Sequence, residues 1–190
     1  MMTLTRREAV LQLATMLGAT VVGPRLAAAS FDLDLAQTGP FTADIALLDE
    51  IGDTILPPSD VPGAKAVGIG PFLAMMMTDC YSADEQVSLR AGLRRLDAEF
   101  TERFGAGFAS GAPADRTTYL NELDREQREQ RLTQGAGAMP HYFRILKELT
   151  ILGYFSSEVG ATQALRYADV PGGYDGNAPY KRGDRAWFNG

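Results

Sequence analysis

"SADEQVSLRAGLRRLDAEFTERFG", residues 82–105, decides the architecture. Leu89, Leu93, Leu96, Phe100 and Phe104 recur at spacings of four, three, four and four. At 3.6 residues per turn this places all five on one helical stripe, with Arg90, Arg94, Arg95, Glu99 and Arg103 on the other faces. Ser82 and Glu85 have the spacing of a capping box, so the helix starts there, and Gly105 stops it.

The same period recurs on both sides of this stretch. Ile45, Leu48, Ile51 and Ile55 define a helix from Thr42 that ends at Pro57-Pro58, and "PPSDVPGAKAVGIG" (57–70) reads as a long loop. Pro71 suits the first position of a helix over "PFLAMMMTDC". "DRTTYLNELDREQREQRL" reads as one or two short, charged helices with Tyr119, Leu120 and Leu123 turned inward. Pro140 is placed to begin another, whose buried side carries Phe143, Leu146, Leu149 and Leu152, widened by Ile145 and Ile151. Ser156 or Ser157 can cap a short helix through Leu165. No segment alternates as a strand does. The fold class is all-α: one helical domain of about five to seven helices over 30–190, with an irregular tail over 168–190.

The formal net charge is −6. Loss of residues 1–29 removes three bases (Arg6, Arg7, Arg25) and one acid (Glu8), shifting the charge by two to −8. An acidic chain lacks the basic surface that nucleic acids and anionic membranes attract, so neither is expected as a partner. Cys80 is the sole cysteine, which excludes an internal disulfide and a cysteine-based metal cluster.

The N-terminus reads as an export signal. Arg6 and Arg7 precede the apolar run Ala9–Val22, and "RLAAAS" follows with Ala27 and Ala29 as the small residues of a cleavage site after Ala29. The run is shorter than the roughly 20 residues of a membrane span. Paired arginines in this setting fit the twin-arginine route, which places the mature protein in the bacterial periplasm.

Catalytic chemistry is not announced. His141 has no nucleophile in an arranged setting and is expected to be a structural or surface histidine in the first turn of a helix. "GIGPFL" (68–73) puts Leu73 where a dinucleotide fingerprint needs its third glycine. Asp49, Glu50 and Asp53 alternate with an apolar stripe as a solvated face would, and they are the carboxylates an acid–base site would use. Met75, Met76 and Met77 point three ways round a helix, as packing residues do. Cys80 is expected to be a buried thiol. No catalytic, cofactor-binding or metal-ligating set is therefore assigned. The aromatic tail stands apart, because Tyr and Trp concentrate at interfaces.

"PHYFRILKELTILGYFSSEVGATQALRYADVPGGYDG" (140–176) resembles the C-terminal signature of the gluconate 2-dehydrogenase subunit 3 family, and "ALLDEIGDTILPPSDVPGAKAVGIGPFL" (46–73) resembles its N-terminal one. The likeness spans most of 41–187, and only helical character matches over about 100–135. The resemblance implies an all-α, non-catalytic small subunit. It is made beside a large FAD-containing subunit of the glucose–methanol–choline type acting on sugars or polyols, and a cytochrome c with haem often accepts the electrons. Membrane association would then come only through the complex. A flavoprotein folds around its FAD before export, so a small subunit bearing the twin-arginine address would escort it. Tyr154, Phe155, Tyr174, Tyr180 and Trp187 are the expected partner contacts, while Gly153 and Gly160 permit close approach or turns. The competing expectations are a small exported enzyme using Asp49, Glu50 and Asp53 on a sugar, and an uncleaved form anchored through residues 9–22.

Overall fold

The computed structural model describes residues 40–134, 138–170, 172–173 and 176–189. A 3-10 turn, Phe41–Asp44, leads into α1 (Ile45–Ile55), and a second, Ala64–Val67, precedes α2 (Ile69–Asp79). Next come α3 (Ala83–Phe104), a 3-10 turn at Phe108–Ser110, α4 (Pro113–Gln134) and α5 (Tyr142–Ser156). A π-helical turn, Gly160–Ala164, leads to β1 (Arg166–Ala168), which pairs in parallel with β2 (Trp187–Asn189), Arg166 opposite Trp187. The chain is all-α, as its periodicity predicts. The exception is this ribbon, which puts two three-residue strands where an irregular tail was expected.

Helix α3 forms as its sequence dictates. The Ser82 Oγ accepts from the Glu85 N–H, and the Glu85 carboxylate accepts the Ser82 N–H at 2.9 Å, so two otherwise orphaned donors are satisfied. Gly105, at φ 77°, closes the helix in the left-handed conformation that costs glycine least. Leu89, Leu96 and Phe100 are fully buried, and Phe100 meets the rings of Phe104, Phe108 and Tyr119 at 4.6, 5.0 and 5.7 Å between centroids. Each such side chain taken out of water contributes about 1.5–3 kcal/mol.

Helices α1 and α2 approach through paired glycines. A Cβ on Gly52 would lie 2.5 Å from Ile69 Cγ2, and one on Gly70 2.6 Å from the Ile45 carbonyl oxygen. Only hydrogen at both positions permits this spacing. Helix α4 is one 22-residue helix. Tyr119, Leu120 and Leu123 face the core from it. Its outer surface is joined to α3 by Arg95–Glu126 at 3.0 Å and Arg103–Glu122, and to α5 by Lys147–Asp124 at 2.6 Å.

Two helix starts differ from expectation. Helix α2 begins at Ile69, with Pro71 inside the first turn, where its missing N–H still costs nothing. Helix α5 begins after Pro140, with His141 as its N-cap. Two buried-face assignments also change: Leu152 is 52% exposed and Ile151 41%. The buried stripe runs Tyr142, Ile145, Leu146, Leu149 and Gly153, and at about 100° per residue Ile151 and Leu152 fall off its edge.

Candidate functional site

The three carboxylates of α1 reach the loop that follows it and the first turn of α2. Asp49 Oδ1 accepts the Gly70 N–H at 2.7 Å, and Asp53 Oδ1 accepts the Lys65 N–H at 3.2 Å. Glu50 pairs with both Lys65 and Arg116. All three are half-buried rather than spread over a solvated face. Burial alone would raise the Glu50 carboxyl, but the hydrogen bonds from Lys65 and Arg116 outweigh it and hold it below 4.5. Such a carboxylate stays ionised and paired. It serves as a clamp between α1, the loop and α4, and acid–base work would require breaking it.

His141 also has a structural task. Its Nδ1 accepts the Phe143 N–H at 3.2 Å, capping α5. That bond fixes the proton of the neutral ring on Nε2, which faces Glu126 Oε1 at 3.6 Å. Burial lowers its pKa below 6.5 against the pull of Glu126. Around it stand Arg95, bonded to Glu99 and Glu126, and Tyr119, whose hydroxyl donates to Glu99 at 2.8 Å. The phenols of Tyr119 and Tyr142 are pushed up chiefly by burial. A cleft of about 290 Å³ lies beside this cluster, lined by Ser88, Gly92, Arg95, Gln130, His141 and Tyr142 among others.

Among the described residues no group of three or more His, Cys, Asp or Glu side chains is placed to hold a metal ion. No described helix is long and apolar enough to cross a membrane. Cys80, expected to be buried, is exposed, its Sγ 3.9 Å from the Met76 sulfur. The α2 helix ends at Asp79, so Cys80 sits past its last buried turn. Met77 is fully buried and Met75 is 51% exposed, as three directions round a helix require.

The expected partner contacts differ in exposure. Tyr154 faces inward at 4% exposure, with its hydroxyl donating to the Pro62 carbonyl at 2.7 Å. Phe155 is half-buried with its ring 5.2 Å from that of Tyr154. Tyr180 and Trp187 are 76% and 60% exposed on the tail. Tyr174, and the export residues Arg6, Arg7, Ala27 and Ala29, lie outside the described residues. Gly153 and Gly160 admit close neighbours: a Cβ on Gly153 would lie 2.5 Å from Phe72 Cδ1, and one on Gly160 would meet the Tyr154 carbonyl. Sequence reasoning missed Arg90, which is 9% exposed with its guanidinium 3.8 Å from the Phe41 ring centroid. Its position next to Leu89, on the margin of the stripe, was the available signal.

The carboxylates and the histidine singled out as catalytic candidates are occupied in capping and clamping, and the surface keeps large apolar side chains on a rigid helix. These contacts hold together an all-α helical domain. The family model for gluconate 2-dehydrogenase subunit 3 matches residues 42–172, well over half of the chain, and the chain belongs to that family. The family is that of a small subunit of a dehydrogenase complex. No curated protein and no solved structure matches the chain.

Proposed function

We propose that this chain is the non-catalytic small subunit of an exported, FAD-dependent sugar or polyol dehydrogenase. It binds and stabilises a large flavin subunit of the glucose–methanol–choline type and carries it through the twin-arginine route to the periplasm. The family match over residues 42–172 carries the reading. FAD belongs to the large subunit, a cytochrome c with haem takes the electrons onward, and membrane association comes through the complex. The paired Arg6 and Arg7 ahead of the apolar run support the export step, because a flavoprotein loaded with its cofactor crosses only by a route that accepts folded cargo.

Co-expression of a C-terminally tagged chain with the large subunit tests this. The eluate should carry a second, larger band and a flavin spectrum, and Arg6→Lys with Arg7→Lys should hold both subunits in the cytoplasm. A colourless, inactive single chain would remove the subunit reading. A colourless single chain that oxidised or hydrolysed sugars would restore the small-enzyme alternative. Export of the large subunit with the double variant would remove the escort role alone.

A further inference from the structure

The His141 ring is set where only its neutral form fits. Its Nδ1 accepts the Phe143 N–H at 3.2 Å, and that N–H belongs to the first turn of α5, where no helix carbonyl can serve it. The residue is 9% exposed, and among the described residues its Nε2 makes no hydrogen bond. Glu126 Oε1 stands 3.6 Å from Nε2, beyond hydrogen-bond distance. The Tyr142 ring packs on the imidazole at 4.6 Å between centroids, and its hydroxyl is likewise buried without a partner among the described residues. The backbone is anchored separately: the His141 carbonyl accepts the Arg144 N–H at 2.9 Å and the Ile145 N–H at 3.3 Å. The side chain can therefore leave while the helix stays wound.

Protonation turns the cap against itself. An imidazolium carries hydrogen on both nitrogens, so Nδ1–H would face the Phe143 N–H donor to donor. The positive end of the α5 dipole adds to that repulsion. Charged neighbours set the direction of escape. From α3, Arg95 repels the ring, while Glu99 is already bonded to Arg95 and the Tyr119 hydroxyl. From α4, Glu126 attracts it, and Arg131 lines the smaller of two adjoining clefts. From α5, Arg144 lines that cleft as well and is bonded to Glu148. The charged ring is thus drawn to Glu126. The two clefts, of about 290 and 40 Å³, both include His141, Met139 and Pro140 in their walls, and they give the ring room to turn.

We propose that His141 is a proton-operated latch on the first turn of α5: neutral, it caps the Phe143 N–H; protonated, it swings off the cap toward Glu126 and uncovers Tyr142. Burial outweighs the pull of Glu126, and Arg95 adds to burial, so the latch stays closed at neutral pH and opens in acid. Opening is local and precedes loss of the fold. The latch is a property of this chain alone and does not rest on the subunit reading.

Nuclear magnetic resonance of the isotope-labelled full chain tests this. Near neutral pH the His141 ring should be the Nε2–H tautomer, and acid should add the proton at Nδ1. Over the same midpoint the exchange protection of the Phe143 amide, corrected for its intrinsic pH dependence, should fall roughly tenfold. The amides of Leu96 and Phe100, in the buried stripe of α3, should keep theirs. Glu126→Gln should lower the midpoint by roughly half a pH unit or more. His141→Ser should hold the Phe143 protection steady between about pH 7 and 5. The latch is overturned if the ring titrates while Phe143 stays protected, since the imidazolium then keeps its place. It is overturned as well if Leu96 and Phe100 lose protection together with Phe143, which is global unfolding, or if His141→Ser shows the same acid loss. The wild-type readings decide the matter even where a variant fails to fold.

Discussion

The Tyr154 hydroxyl donates a 2.7 Å hydrogen bond to the Pro62 carbonyl, joining the last turn of α5 to the loop between α1 and α2. The same loop is held by Asp53 and Glu50 at Lys65, and internally by the Ala64 N–H on the Leu56 carbonyl at 2.9 Å, while Asp49 ties α1 to the first turn of α2. A Pro- and Gly-rich segment with little periodicity is thus fixed by polar bonds from two helices.

Tyr154→Phe should therefore keep the fold and cost about 1 kcal/mol, the ordinary net value of one hydrogen bond. Tyr154→Ala should cost about 3–5 kcal/mol, because it also empties a packed site next to Phe155. Urea denaturation of both variants separates the two contributions. Equal losses would mean that the hydroxyl, not the ring, supports the loop.

Glu50 sits between Lys65 and Arg116, its side chain 16% exposed and that of Arg116 14%. Glu50→Gln should cost about 2 kcal/mol, below the 3–5 typical of a fully buried pair, since water still reaches this one. The carboxyl is held below 4.5 in the folded chain, so its stabilisation is complete above that pH and is lost as pH falls through the folded value. Acid titration of stability should show wild-type falling more steeply than Glu50→Gln below pH 4.5. Parallel curves would remove Glu50 from the account.

His141 should make the stability fall earlier in the acid range. Burial lowers its folded pKa below 6.5, so the unfolded chain takes up the proton first, and stability present above 6.5 is lost as pH drops toward the folded value. The imidazolium also has no Nδ1 lone pair for the Phe143 N–H. Arg95 and Glu126, bonded to each other beside the ring, act on it in opposite directions, and Arg95 is also tied to Glu99. His141→Ser keeps a capping acceptor and should flatten stability between pH 7 and 5. His141→Ala should cost about 1 kcal/mol at pH 7. Chemical denaturation at stepped pH distinguishes these outcomes, and an unchanged slope in His141→Ser would rule out this histidine as the source.

The helices were legible because their apolar stripes keep a 3.6-residue period, and Ser82 with Glu85 states the start of α3 in the chain itself. The ribbon was not, because three residues on each strand leave no alternation to detect, and Arg166 meets Trp187 only through the return of the tail. Asp49, Glu50 and Asp53 announced their types but not their partners. What they bind depends on how the 57–70 loop folds back and on Arg116, far along the chain. Leu152 and Ile151 fitted a broad apolar face. Which flank of that face is covered depends on where α2 packs, and only tertiary structure fixes that.

Gly92 offers the sharpest test of the packing between α3 and α5. A Cβ there would lie 2.1 Å from Cγ of Tyr142, so the two helices approach this closely only because no side chain stands at Gly92. Alanine in mid-helix is ordinarily favoured over glycine by about 1 kcal/mol. Overpacking of about 1–3 kcal/mol opposes that gain. The ring has room to tilt toward the adjoining cleft beside Arg95 and His141, which keeps the strain moderate. Gly92→Ala should therefore destabilise by up to about 2 kcal/mol net of the helix gain. In a Tyr142→Ala background the same change should stabilise by about 1 kcal/mol, since only the propensity remains. A denaturation cycle over the four chains measures the coupling directly. Stabilisation by Gly92→Ala in the wild-type background would mean that α3 and α5 stand farther apart than the Gly92–Tyr142 contact requires.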